Sequence, residues 1–202
     1  MDSDLRICFV GDSFVNGTGD RTCLGWTGRL CAGLHSQGVA VTYYNLGVRR
    51  DTSLDIAQRW YAEVSHRLPS SCSPRLVFSF GTNDTTWENG QQRLEFASSM
   101  QYCRQILRDA CDRYPVLMIS PPPIADPFQN RRTQTLCQAF HDLCHDLSVP
   151  YLDVFRPLLG CAPWLTSVQA GDDGAHPDAS GYAELAQMVE CWPTWNQWVQ
   201  SP

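Results

Sequence analysis

The chain has 202 residues and a formal net charge of −6, with a pI of about 5.2. A hydrophobic fraction of 43% and a charged fraction of 18% suit a single folded domain over residues 1–202 and exclude a disordered chain. The acidic balance argues against nucleic acid as a partner, because grip on a phosphate backbone rests on clustered Lys and Arg; Arg49 with Arg50 is the candidate for a local basic spot.

Met1 to Asp4 lead into a short apolar run, Ile7 to Val10. No basic segment followed by a long apolar one is present, so no signal peptide is read and a cytoplasmic location is expected. No apolar stretch is long enough to span a bilayer. The ten cysteines include no Cys-x-x-Cys pair, which argues against a zinc ribbon or a redox motif. Cys8, Cys103 and Cys111 fall inside apolar patterns and are expected to pack as reduced, small hydrophobes.

Short apolar runs alternate with longer amphipathic ones. Strands are predicted at Arg6 to Val10, Val41 to Leu46, Arg75 to Phe80, Val116 to Ile119 and Tyr151 to Val154, mostly apolar as in strands covered on both faces. A helix is predicted from Trp26 to Ser36, with Gly38 near its end. Leu54, Ala57, Tyr61, Val64 and Leu68 mark a second helix that Thr52 and Asp55 can cap. Phe96, Met100, Cys103, Leu107 and Cys111 mark a third, and Leu136, Phe140, Leu143 and Leu147 a fourth. A last helix begins near Ser180 and ends before Pro193. The fold class expected is α/β: a three-layer α/β/α sandwich around a five-stranded parallel sheet.

In such sheets ligands bind beyond the carboxyl ends of the strands. The residues suited to chemistry fall there. Gly11-Asp12-Ser13-Phe14 follows the first strand, where a sharp turn presents a hydroxyl. Asn45-Leu46-Gly47 closes the second, and Gly81-Thr82-Asn83-Asp84 follows the third; a Gly N–H or an Asn amide at a strand end is a suitable donor to a developing oxyanion. Asp173-Gly174-Ala175-His176-Pro177 supplies a histidine that can take a hydroxyl proton, and a carboxylate that can fold back to its Nδ1. Each piece alone also reads as a turn.

Together, in the order Ser, Gly, Asn, His, the four blocks resemble those of the SGNH/GDSL hydrolase family, and the resemblance runs from about Ile7 to Val189. It implies a flavodoxin-like sheet and a carboxylic ester hydrolase. Its catalytic residues would be a triad of Ser13, His176 and Asp173, with an oxyanion hole from Ser13, Gly47 and Asn83. The substrate would be a small-molecule ester, with small acyl or acetyl groups expected, and no metal or organic cofactor. One position departs: many relatives carry Gly three residues after the Gly47 position, and this chain has Arg50. A thioesterase or acyltransferase would use the same triad, and a non-catalytic binding module would keep only the fold. The intact Ser13, Asn83, Asp173 and His176 speak against the module.

Other signals weigh less. His141 and His145 stand four residues apart, but the helical wheel turns them away from the Leu136-Phe140-Leu143 face, toward solvent. Trp192, Trp195 and Trp198 read as a terminal segment docking on the core. Trp87, Phe14 and Trp26 are candidates for a cleft wall. Pro121 to Pro123 is a stiff local turn. No long lid insertion is read, which predicts an open cleft.

Overall fold

The computed structural model describes residues 4–200. In chain order its elements are β1 (Leu5–Gly11), α1 (Ser13–Asn16), α2 (Gly25–Ser36), β2 (Val41–Gly47), α3 (Ser53–Ser65) and β3 (Ser73–Ser79). They continue with β4 (Trp87–Glu88), β5 (Gln91–Gln92), α4 (Phe96–Cys111), β6 (Val116–Ile119), α5 (Pro127–Asp146) and β7 (Tyr151–Leu152). The chain closes with α6 (Phe155–Leu159), α7 (Ala162–Ala170), α8 (Ala179–Glu190) and α9 (Pro193–Gln200).

Five strands form one sheet in the order β2-β1-β3-β6-β7, every neighbouring pair parallel. The period-two alternation of each strand feeds two cores. On one face Leu5, Ile7 and Phe9 of β1, Val77 of β3 and Leu117 and Ile119 of β6 pack under α2, α7, α8 and α9. On the other, Cys8, Val10, Leu76, Phe78, Val116 and Met118 pack under α3, α4 and α5. The strand order reverses at β1, so a crevice opens at the carboxyl ends of β1 and β3.

The predicted layers and their order along the chain are present, with local differences. Phe80 lies past the end of β3 as a buried loop residue. β7 stops at Leu152 because the N–H groups of Val154 and Phe155 turn aside to Ser120 Oγ, at 2.9 and 3.1 Å. The buried stripe of α3 is Ile56, Trp60 and Val64, rotated from the predicted one. Tyr61 instead faces outward, with the Arg113 guanidinium 5.0 Å from its ring centre. Cys111, at the end of α4, is exposed rather than packed, whereas Cys8 and Cys103 are buried, and none of the ten cysteines is paired. The β4–β5 hairpin was not predicted. Its turn is Asn89-Gly90, both with positive φ, 53° and 80°, as a two-residue hairpin turn requires.

Trp195 is buried and Trp192 and Trp198 pack beside it, so α9 docks on the core as expected. Trp26 is buried in the same core and walls no cleft. His141 and His145 sit on the solvent side of α5. No group of three or more metal-ligating side chains gathers among the described residues, and no helix there is long and apolar enough to cross a membrane.

Candidate active site

β1 ends in Gly11, where a Cβ would lie 2.0 Å from the backbone oxygen of Ser79 on β3. Only glycine lets the strands close so tightly. Asp12 then caps α1, its Oδ1 accepting from Phe14 N–H at 2.9 Å, and Ser13 becomes the first residue of that short helix. The N–H groups at a helix start have no intrahelical acceptor, so the Ser13 N–H is not used within α1.

His176 arrives from the loop between α7 and α8. Its Nε2 lies 2.7 Å from Ser13 Oγ and its Nδ1 2.6 Å from Asp173 Oδ2. The other carboxylate oxygen of Asp173 accepts from the N–H groups of Ala175 and His176, at 2.9 and 3.0 Å. Burial by itself would raise the Asp173 carboxyl, but these bonds outweigh it and hold the pKa at about 2. The imidazole is also gripped from its face: Phe14 lies 5.0 Å from it, ring centre to ring centre, backed by Trp164 at 6.4 Å. Phe14 is thus a support for His176 rather than an open cleft wall. Gly19 (φ 93°) admits the loop, since a Cβ there would sit 2.6 Å from Pro177 O and 3.1 Å from His176 Cβ.

The remaining predicted residues, Gly47 and Asn83, lie against Asp12 and Asn16 on either side of Ser13 in the chain. Gly47 ends β2 against α1, where a Cβ would lie 2.1 Å from Asn16 N. Its own N–H donates to Asn45 Oδ1 at 3.0 Å, and Asn45 is itself fixed by donating to Val15 O at 2.7 Å. Asn83 donates from Nδ2 to Asp51 O at 3.0 Å and more distantly to Asp12 Oδ2 at 3.5 Å. Its Oδ1 accepts from Arg93 Nη1 at 3.1 Å. Asp84 ties this loop to α3 by accepting from Ser53 N–H at 2.8 Å and from the Ser53 hydroxyl.

An open cleft of about 800 Å³ adjoins His176 and Asp173, lined also by Thr18, Arg21, Arg49 and Asp172. Arg49 of the basic pair therefore faces the cleft, while Arg50 turns away to Glu88 on β4. Trp87 stands elsewhere. It is 59% exposed and lines a separate groove with Gln91, Arg93 and Phe96. Two supports escaped the sequence reading because no regular spacing links them to their partners: Arg93, brought to Asn83 by the β4–β5 hairpin, and Arg59, which donates to Gly11 O at 2.9 Å and pairs with Asp51 at 2.6 Å.

A family model, GDSL-like lipase/acylhydrolase, matches residues 9–184. The chain belongs to the GDSL-like lipase/acylhydrolase family. Membership makes it a carboxylic ester hydrolase. No curated relative matches it in sequence. Among solved structures, several esterases and an acylhydrolase superpose over nearly the whole chain. A catalytic mutant of Axe2, an acetylxylan esterase from Geobacillus stearothermophilus, has a TM-score of 0.77 at 14% identity, covering 100% of this chain and 97% of that one. A lipase/acylhydrolase from Enterococcus faecalis has a TM-score of 0.75 at 20% identity, covering 92% and 93%. The esterase EstA from Pseudoalteromonas sp. has a TM-score of 0.73 at 14% identity, covering 98% and 100%. At such identities the likeness is one of fold.

One group near Ser13 titrates far from its usual range. Burial pushes the Asp12 carboxyl up to about 7, with the carboxylates of Asp84 and Asp51 adding to it, against the bond from Phe14 N–H. A carboxyl raised on folding keeps its proton after the unfolded chain has lost one, so its contribution to stability falls between about pH 4 and pH 7 and stays lower above. Asp12→Asn retains a cap oxygen and removes the titration. Its melting temperature relative to wild type is therefore expected to rise between pH 5 and pH 8. A difference that is flat across that range in parallel thermal melts refutes the shift.

Proposed function

We propose that the enzyme works through a serine nucleophile and an acyl-enzyme, with small acyl or acetyl esters as substrates. The observation that carries this reading is the unbroken line Ser13 Oγ–His176 Nε2–Nδ1–Asp173 Oδ2, at 2.7 and 2.6 Å. His176 takes the Ser13 proton as Oγ bonds to the ester carbonyl carbon. Asp173 holds the tautomer and stabilises the imidazolium. The resulting oxyanion rests on the Ser13 N–H and the Asn83 amide. Gly47 N–H is a third donor, which must be shared with Asn45 Oδ1 in a three-centre bond. The carbon–oxygen bond to the alcohol then breaks, and the alcohol leaves with the proton from His176. Water, giving its proton to the same nitrogen, attacks the acyl-enzyme and frees the acid and Ser13.

The test is covalent labelling. A fluorophosphonate is expected to add once to the wild type, read by intact mass, and not at all to Ser13→Ala. An unlabelled, folded wild type overturns the serine mechanism. The preference for small acyl groups is supported by the open, polar lining of the cleft, with Thr18, Arg21, Arg49 and Asp172, which suits a short acyl group better than a long apolar chain. Acetate and propionate esters are expected to turn over faster than octanoate esters in a nitrophenyl series, and the reverse order would replace this substrate class.

A further inference from the structure

A second line of side chains, outside the Ser13–His176–Asp173 chain, ends on Asn83. Arg50 Nη2 donates to both carboxylate oxygens of Glu88, at 3.0 and 3.3 Å. Glu88 Oε2 also accepts from Arg93 Nε at 2.9 Å. Arg93 Nη1 then donates to Asn83 Oδ1 at 3.1 Å. The β4–β5 hairpin builds this line: Glu88 ends β4, Arg93 directly follows β5, and the Arg93 N–H is held by Thr86 O at 2.9 Å. The Arg93 side chain is 15% exposed, against 66% for Arg50, so the link to Asn83 is the sheltered end.

Arg50 adds an independent sign. Its φ is 74°, in the left-handed region that disfavours a residue with a Cβ. A glycine would sit there without strain, and only a longer side chain reaches Glu88. Strain retained next to a reactive site is a reason to look for function in the side chain that carries it.

We propose that Arg93 is a positioning residue for ester hydrolysis: acting through Asn83, it fixes which way the amide faces and strengthens its N–H as an oxyanion donor, with Glu88 and Arg50 holding it in place. This rests on the assignment of Asn83 to the oxyanion. The amide cannot turn over, because the turn would set its NH₂ against the guanidinium and its oxygen against Asp51 O. A guanidinium on Oδ1 also draws charge from Nδ2, and such charge-assisted bonds are stronger than neutral ones. The oxyanion exists only along the reaction path, so the effect falls on kcat and leaves KM nearly unchanged.

The experiment is a mutant series on ester hydrolysis. Arg93→Ala is expected to lower kcat by about 10-fold with KM within about 2-fold. Arg93→Lys is expected to recover part of the loss, since Lys still donates a charged bond but lacks the planar fork that joins Glu88 to Asn83. In an Asn83→Ala background, Arg93→Ala is expected to change kcat by less than about 2-fold. Arg50→Gly is expected to keep or raise the melting temperature while kcat falls, a pattern that loss of packing would not give. An unchanged kcat in Arg93→Ala, or a full additional loss in the Asn83→Ala background, overturns the proposal. A wild type that hydrolyses no ester and takes no fluorophosphonate overturns the serine mechanism instead. The side-chain amide signals of Asn83, in ¹H–¹⁵N spectra of labelled protein, then test the link without turnover: a shift on Arg93→Ala supports it, and unmoved signals overturn it.

Discussion

Ser13→Ala is expected to lower hydrolysis of a short acyl ester by on the order of 10,000- to 1,000,000-fold, leaving the fold intact. The hydroxyl is the atom that bonds to the acyl carbon, and no second hydroxyl shares the His176 Nε2 contact at 2.7 Å among the described residues. His176→Ala is expected to lose about as much, and the double variant scarcely more, because a nucleophile without its base and a base without its nucleophile fail at the same step. Steady-state rates with a chromogenic acetate ester read all three. Retention of a tenth of the activity in Ser13→Ala would remove it as nucleophile. Clearly multiplicative losses in the double variant would show two independent roles in place of one coupled unit. Circular dichroism on each variant separates loss of chemistry from loss of fold.

Asn83→Ala carries the second large effect, roughly 100- to 1,000-fold in kcat. Its amide is held at both ends, by Arg93 on Oδ1 and by Asp51 O on one N–H; the second N–H makes a long contact to Asp12 Oδ2, at 3.5 Å, which it gives up to the oxyanion. KM is expected to stay close to wild type, because the ground-state carbonyl demands little from that donor. Gly47 is the contrasting case. Its N–H already has Asn45 Oδ1 as acceptor, so of the three donors it offers the least to an oxyanion. A KM effect without a kcat effect in Asn83→Ala would move this amide from transition-state stabilisation to substrate binding.

Much of this was legible along the chain. Apolar runs place the strands because both sheet faces are covered, and three of the four candidate blocks sit where such a run stops, the fourth lying in the loop between α7 and α8. The Asp173–His176 contact was readable because its members are three residues apart on a turn that the carboxylate itself builds. The helix faces were less legible. In α3 the pattern Leu54, Ala57, Tyr61 has the same period as the true stripe Ile56, Trp60, Val64, and only the neighbouring layer selects between them. The hairpin had a local signal in Asn89-Gly90, but two-residue strands are too short to show alternation.

The sequence by itself therefore determined the layered α/β fold and the order of the four blocks, because local patterning and short-range turns specify them, and the family resemblance of those blocks singled out Ser13, Asn83, Asp173 and His176 as candidates. Tertiary structure alone decided how they meet. Ser13 and His176 are joined across 163 positions. Arg93 reaches Asn83 only when β4 and β5 pair, and Arg50 reaches Glu88 across 38 positions from a left-handed backbone. Such contacts depend on where the sheet brings loop ends together, a property of the packed chain that no local propensity encodes.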